Sequence, residues 1–115
     1  MPVLIYKILL PAEWAAFRAA QRFDGSPFDL SCGFVHCSAR DQVAATALRV
    51  FAGEPDLFVA AVDSALLGDT VHWEDAPNGG PFPHVYGPLP LTAVTAVHRV
   101  PGAAHVEAVL AGSPQ

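Results

Sequence analysis

Charge is scarce in this 115-residue chain: only 15% of its residues are Asp, Glu, Lys or Arg, against 52% hydrophobic. Disorder driven by charge excess is thereby excluded, because such a chain has ample apolar surface to bury. Basic residues are fewest, six Lys and Arg against eleven Asp and Glu, for a net charge of -5, and they are scattered. A duplex-nucleic-acid or polybasic membrane partner is therefore not expected. Long apolar runs are missing too. None approaches the roughly 18 residues of a spanning helix, and Lys7 interrupts the first apolar stretch with no small-residue cleavage pattern after it, which reads as a cytoplasmic protein. With only two cysteines, Cys32 and Cys37, the chain has neither a disulfide framework nor a four-thiolate zinc site.

What is present reads as one compact domain over residues 1–100, with 101–115 a weakly held C-terminal tail. Val3 to Leu10 predicts a buried strand, and Pro11, Glu13, Trp14 and Phe17 predict a helix running to Arg22. Phe23 to Ser31, with Gly25, Ser26 and Pro27, reads as a turn-rich connection. Gly33 to Cys37 predicts a short strand, and Ser38-Ala39-Arg40-Asp41 matches a capping box opening a second helix, with Val43, Ala47, Val50 and Phe51 on one face. Leu57 to Val62 and Thr70 to Glu74 read as strands, the first interior, separated by a turn over Asp63 to Asp69. Asp75 to Pro83 reads as a loop on its prolines and glycines, and Thr92 to Val100 as the last strand.

Three constellations could carry chemistry. Strand alternation puts His36 on the face of Phe34 and near the Ser38 hydroxyl, at a helix mouth suited to an anion or phosphate. His84 and Tyr86 share a face directly after the Gly-Pro segment and could stack against a ring. His72 and Glu74 form the third pair, with Glu74 the candidate for general-base work or for holding a ribose hydroxyl. Each has a plainer reading: a helix cap, a half-buried core aromatic, a solvated edge carboxylate. No metal site is expected, since no HxH, HExxH or His-x-x-x-His spacing occurs. Cys37 and His36 are adjacent in a strand and point to opposite faces, so they make no thiol–imidazole pair.

The segments Ile5-Tyr6-Lys7-Ile8, Gly33-Phe34-Val35-His36-Cys37-Ser38, Trp73-Glu74 and Phe82-Pro83-His84-Val85-Tyr86-Gly87-Pro88-Leu89-Pro90 together resemble the small bacterial family known as domain of unknown function 952, from about Leu4 to His98. That resemblance implies a fold more than an activity. More loosely, a first strand, a helix opening at Trp14, a turn-rich connection and a strand ending in His-x-Ser are similar to the start of the RNA 2′-phosphotransferases, which have ADP-ribosyltransferase-like folds. This similarity implies an α+β domain with a split, mostly antiparallel sheet around a cleft and two helices. It places His36 and Ser38 near an NAD-type site, although Lys7-Ile8-Leu9 stands where those enzymes carry a histidine and a threonine.

The expectation is thus a cleft for a nucleotide-like or phosphate-bearing small molecule, with NAD as one candidate ligand and no cofactor required. His36 and Ser38 would meet the anionic part and His84 and Tyr86 the ring. Glu74, with His36, would serve any ADP-ribosyl-transfer-type chemistry. A non-catalytic protein-interaction domain and a metal-assisted hydrolase are the competing readings.

Overall fold

The computed structural model describes residues 3–77 and 79–112. Strand β1 (Leu4–Leu9) leads into helix α1 (Pro11–Ala20), where Pro11 sits in the first turn and the Glu13 carboxylate accepts from the Leu10 amide at 2.9 Å. A two-residue strand β2 (Arg22–Phe23) follows where the first helix was expected to end at Arg22, and a short helix α2 (Pro27–Cys32) occupies most of the expected turn-rich connection. Strand β3 (Val35–His36) and helix α3 (Val43–Val50) come next. After β4 (Leu57–Asp63) and a 3-10 segment, β5 (Val71–Ala76) and β6 (Gly79–Val85) form a paired hairpin. The expected open loop over Asp75 to Pro83 is therefore largely strand. Strands β7 (Leu89–Pro90) and β8 (Val94–Val100) and helix α4 (Val106–Ala111) complete the chain.

Among the described residues every strand pairing is antiparallel. One three-stranded sheet has the order β1-β4-β8, a second β3-β6-β5, and β2 pairs with β7. Tyr6 and Ser38 exchange backbone hydrogen bonds of 2.8 and 2.9 Å, which joins the two larger sheets. The expected α+β class with mostly antiparallel strands is borne out, with four α-helices among the described residues rather than two.

Alternation along β1 and β4 divides the core in two. Ile5, Leu9, Ala60 and Val62 face Phe17 of α1, Phe23, and the Val35 and Val85 side of the second sheet. Tyr6, Ile8, Val59 and Ala61 face Val43 and Ala47 of α3 and Val106 and Leu110 of α4. The segment after residue 100 is thus no loose tail: Val106 is 0% and Leu110 2% exposed, sealing the second core. Residues 113–115 of the expected tail lie outside the described residues. Among the described residues no helix is long and apolar enough to cross a membrane.

Candidate functional site

Helix α2 begins with Ser26 as N-cap. The Ser26 hydroxyl accepts from the Asp29 amide at 3.2 Å, and the Asp29 carboxylate accepts from the Ser26 amide at 2.9 Å. Gly33, at φ 86°, closes the helix in the left-handed region and turns the chain into β3. Gly25 lies close by, where an added Cβ would stand 2.9 Å from that of Asp29, so the backbone here must be bare. The result is a carboxylate held inside the fold. Its Oδ2 also meets Lys7 Nζ at 2.9 Å, and its Oδ1 accepts from the His36 amide at 3.0 Å and lies 2.6 Å from His36 Nδ1. Lys7 Nζ further donates to the His36 carbonyl at 3.0 Å.

Burial alone would raise the Asp29 carboxyl, but the His36 hydrogen bond, the Lys7 charge and the two backbone amides outweigh it and hold the group well below the usual carboxylate range. An ionised carboxylate can only accept, so His36 Nδ1 carries the proton and Nε2 is left for other partners.

Sheet register supplies the other half. His36 of β3 lies opposite His84 of β6, which lies opposite His72 of β5, while the neighbouring row Val35, Val85, Val71 turns toward the core. His84 Nδ1 lies 2.7 Å from Glu74 Oε1, and the Tyr86 hydroxyl donates to the same oxygen at 2.7 Å. Hydrogen bonds from Tyr86 and then His84 lower the Glu74 carboxyl, and the same contact raises the Tyr86 phenol. Phe34 binds the two halves together: its ring stacks on His84 at 4.1 Å and lies 4.5 Å from His36 and 5.2 Å from Tyr86. The two imidazole centroids are 5.6 Å apart. Among the described residues neither Nε2 has a partner, and neither is sealed from solvent.

His36, Glu74, His84 and Tyr86 are therefore brought together by the pairing of β3, β6 and β5. Ser38 does not join them. It is buried, its hydroxyl donates to Thr46 Oγ1 at 3.2 Å, and the helix it was expected to cap starts only at Val43. The Tyr6 pairing keeps the chain extended through Ser38, and Gln42 Oε1 takes the Ala39 amide instead, at 2.8 Å. An open cleft of about 320 Å³ adjoins the cluster, lined by Asp24, Asp29, Leu30, Phe34, Tyr86 and Pro88 among others. Of the four residues expected to line one hollow, only Tyr86 borders this one; the imidazoles stand at its side.

Asp29, Lys7 and Phe34 were missed as site residues. The pattern Ser26-Pro27-Phe28-Asp29, a cap residue, a first-turn proline and a carboxylate three on, carries the signal for α2. An inward-facing lysine in an apolar strand likewise demands a buried counter-charge. Among the described residues no three His, Cys, Asp or Glu side chains group closely enough to hold a metal ion. Cys37 lies in the core and burial pushes its thiol up to about 12, whereas Cys32 is exposed. Iodoacetamide on the native protein is expected to add one adduct, at Cys32, by mass spectrometry; modification of Cys37 before unfolding would contradict its burial.

The molecule is thus a small antiparallel α+β protein carrying two histidine–carboxylate pairs on the outer face of a split sheet. It belongs to the family described as protein of unknown function (DUF952), whose model matches residues 8–97. The crystal structure of protein CC0527 from Caulobacter crescentus is similar at 46% identity, covering 82% of each chain with a TM-score of 0.78. The solution structure of CC0527 matches at 46% identity and a TM-score of 0.72, over 82% of this chain and 81% of that one. No curated protein matches the chain.

Proposed function

We propose that the site binds a nucleotide-like or phosphate-bearing small molecule, with NAD as one candidate. The observation that supports this is the pair of imidazoles, each fixed at Nδ1 by a carboxylate and each with an open Nε2, standing beside an apolar cleft. An imidazole protonated at both nitrogens donates from Nε2 to an anionic oxygen, and a neutral one accepts there from a ligand hydroxyl, in either case with its orientation already set, which lowers the ordering cost of binding. Phe34, Tyr86 and Pro88 offer the flat apolar walls that a base or nicotinamide ring needs. Glu74 Oε1 is taken by His84 and Tyr86, so Oε2 is the atom open to a ribose hydroxyl. This reading keeps the similarity to the RNA 2′-phosphotransferases as a working frame, with Glu74 and His36 serving any ADP-ribosyl transfer.

Amide chemical-shift titration with NAD and ADP-ribose tests it. Saturable shifts are expected around Phe34, His36 and Tyr86 at millimolar ligand, with affinity lowered about tenfold or more in His36→Ala, the worth of a charge-assisted hydrogen bond. A flat titration with both ligands would remove the proposal.

A further inference from the structure

Binding an anion requires donors, but it does not require two imidazoles whose protonation sites are both fixed. His36 and His84 each hold Nδ1 against a carboxylate, at 2.6 and 2.7 Å, and each leave Nε2 free to take up or release a proton. With ring centroids 5.6 Å apart, the two imidazoles are near enough to act on one bound substrate.

The surroundings narrow the substrate. Among the described residues the cation in contact with these dyads is Lys7, which is buried and spent on Asp29. Asp29 and Glu74 flank the imidazoles in a protein of net charge -5. A nucleoside triphosphate would bring about four negative charges to this place and the diphosphate bridge of NAD about two, whereas a phosphodiester brings one. Aromatic rings stand on both sides: Phe28, 63% exposed, stacks on His36 at 4.7 Å, and Tyr86 is 44% exposed. Exposed rings of this kind stack on the bases of short single-stranded nucleotides.

We propose that the site cleaves a ribonucleoside phosphodiester by internal transesterification, which rests on the nucleotide-binding reading above. The 2′-oxygen attacks phosphorus, forming the O2′–P bond, while the bond from phosphorus to O5′ of the next nucleoside breaks. One Nε2 takes the 2′-hydroxyl proton; the other, protonated, gives its proton to the departing O5′. The products are a 2′,3′-cyclic phosphate and a nucleoside with a free 5′-hydroxyl, and no further reactant is consumed.

The test uses the full chain with adenylyl-(3′→5′)-adenosine and its 2′-deoxy analogue, following products by chromatography and binding by amide shifts. The expected result is conversion of the ribo compound to 2′,3′-cyclic AMP and adenosine, with the deoxy analogue bound and intact. His36→Ala and His84→Gln should each slow conversion about 10²- to 10⁴-fold, the usual worth of a general acid or base, while His105→Gln, at an exposed position remote in sequence, leaves it unchanged. His36 is the more exposed of the two imidazoles, so His36→Ala decides the matter if His84→Gln fails to fold. Binding of both compounds without cleavage overturns the transesterification and leaves the binding reading standing. Cleavage that survives His36→Ala overturns it too, as does absence of binding to either compound, while the binding reading stands or falls on the NAD and ADP-ribose titration.

Discussion

Asp29→Asn is expected to lower the unfolding free energy by about 3–5 kcal/mol, the cost of removing one partner from a buried ion pair. Asp29 is 2% and Lys7 6% exposed, so the amide would leave a lysine charge inside the fold with no counter-charge. The same change weakens the cap of α2 and the tether on His36. For a domain of ordinary stability, about 5–15 kcal/mol, this is a large share. Urea unfolding followed by circular dichroism measures it, and a loss under about 1 kcal/mol would show that water reaches the pair. Lys7→Met combined with Asp29→Leu should be less damaging than Asp29→Asn, because it removes both charges together.

The pH dependence has a definite sign. The carboxyl is held well below its ordinary value in the folded state and titrates near 4 in the unfolded chain. Below about pH 4 the unfolded chain binds a proton that the folded chain refuses, so acid favours unfolding. The contribution is fully present above that pH and is lost as pH falls toward the folded value. The stability gap between the native protein and Asp29→Asn should therefore narrow on acidification.

Leu110→Ala should cost about 2–5 kcal/mol, the range for emptying a buried leucine site. The side chain is 2% exposed and packs with Val43, Ala47 and Val106 against β1 and β4. Were the last helix only loosely held, the loss would be near zero. Thermal and urea unfolding of the single variant distinguish the two outcomes.

Elements that bury a regular stripe were legible. Leu57 to Val62 is apolar at every position because β4 is the centre of its sheet, covered on both faces. Helix α2 was not, because six residues make under two turns and its Phe28 and Leu30 are exposed at 63 and 64%, leaving no apolar face to read. Strand β6 was hidden by Pro81 and Pro83. A proline forfeits only its own N–H; the Pro83 carbonyl still accepts from the Cys37 amide at 3.2 Å. The terminal helix escaped notice because its anchoring residues, Val106 and Leu110, are too few to set a period. At the site, strand alternation gave the shared faces of His84 with Tyr86 and of His72 with Glu74, while their meeting with His36 depends on the long-range pairing of β3 with β6. Asp29 lies 22 residues from Lys7, a separation no local pattern spans, and Ser38 was misplaced because a long-range backbone pairing with Tyr6 overrode its capping preference.

Lys7 touches both the Asp29 carboxylate and the His36 carbonyl from the middle of the first strand. One imidazole of the pair is therefore oriented from within the buried core, not from the surface it serves. A chain whose first strand has let go keeps its histidines yet loses the alignment between them, so chemistry at this site is bound to the integrity of the hydrophobic interior.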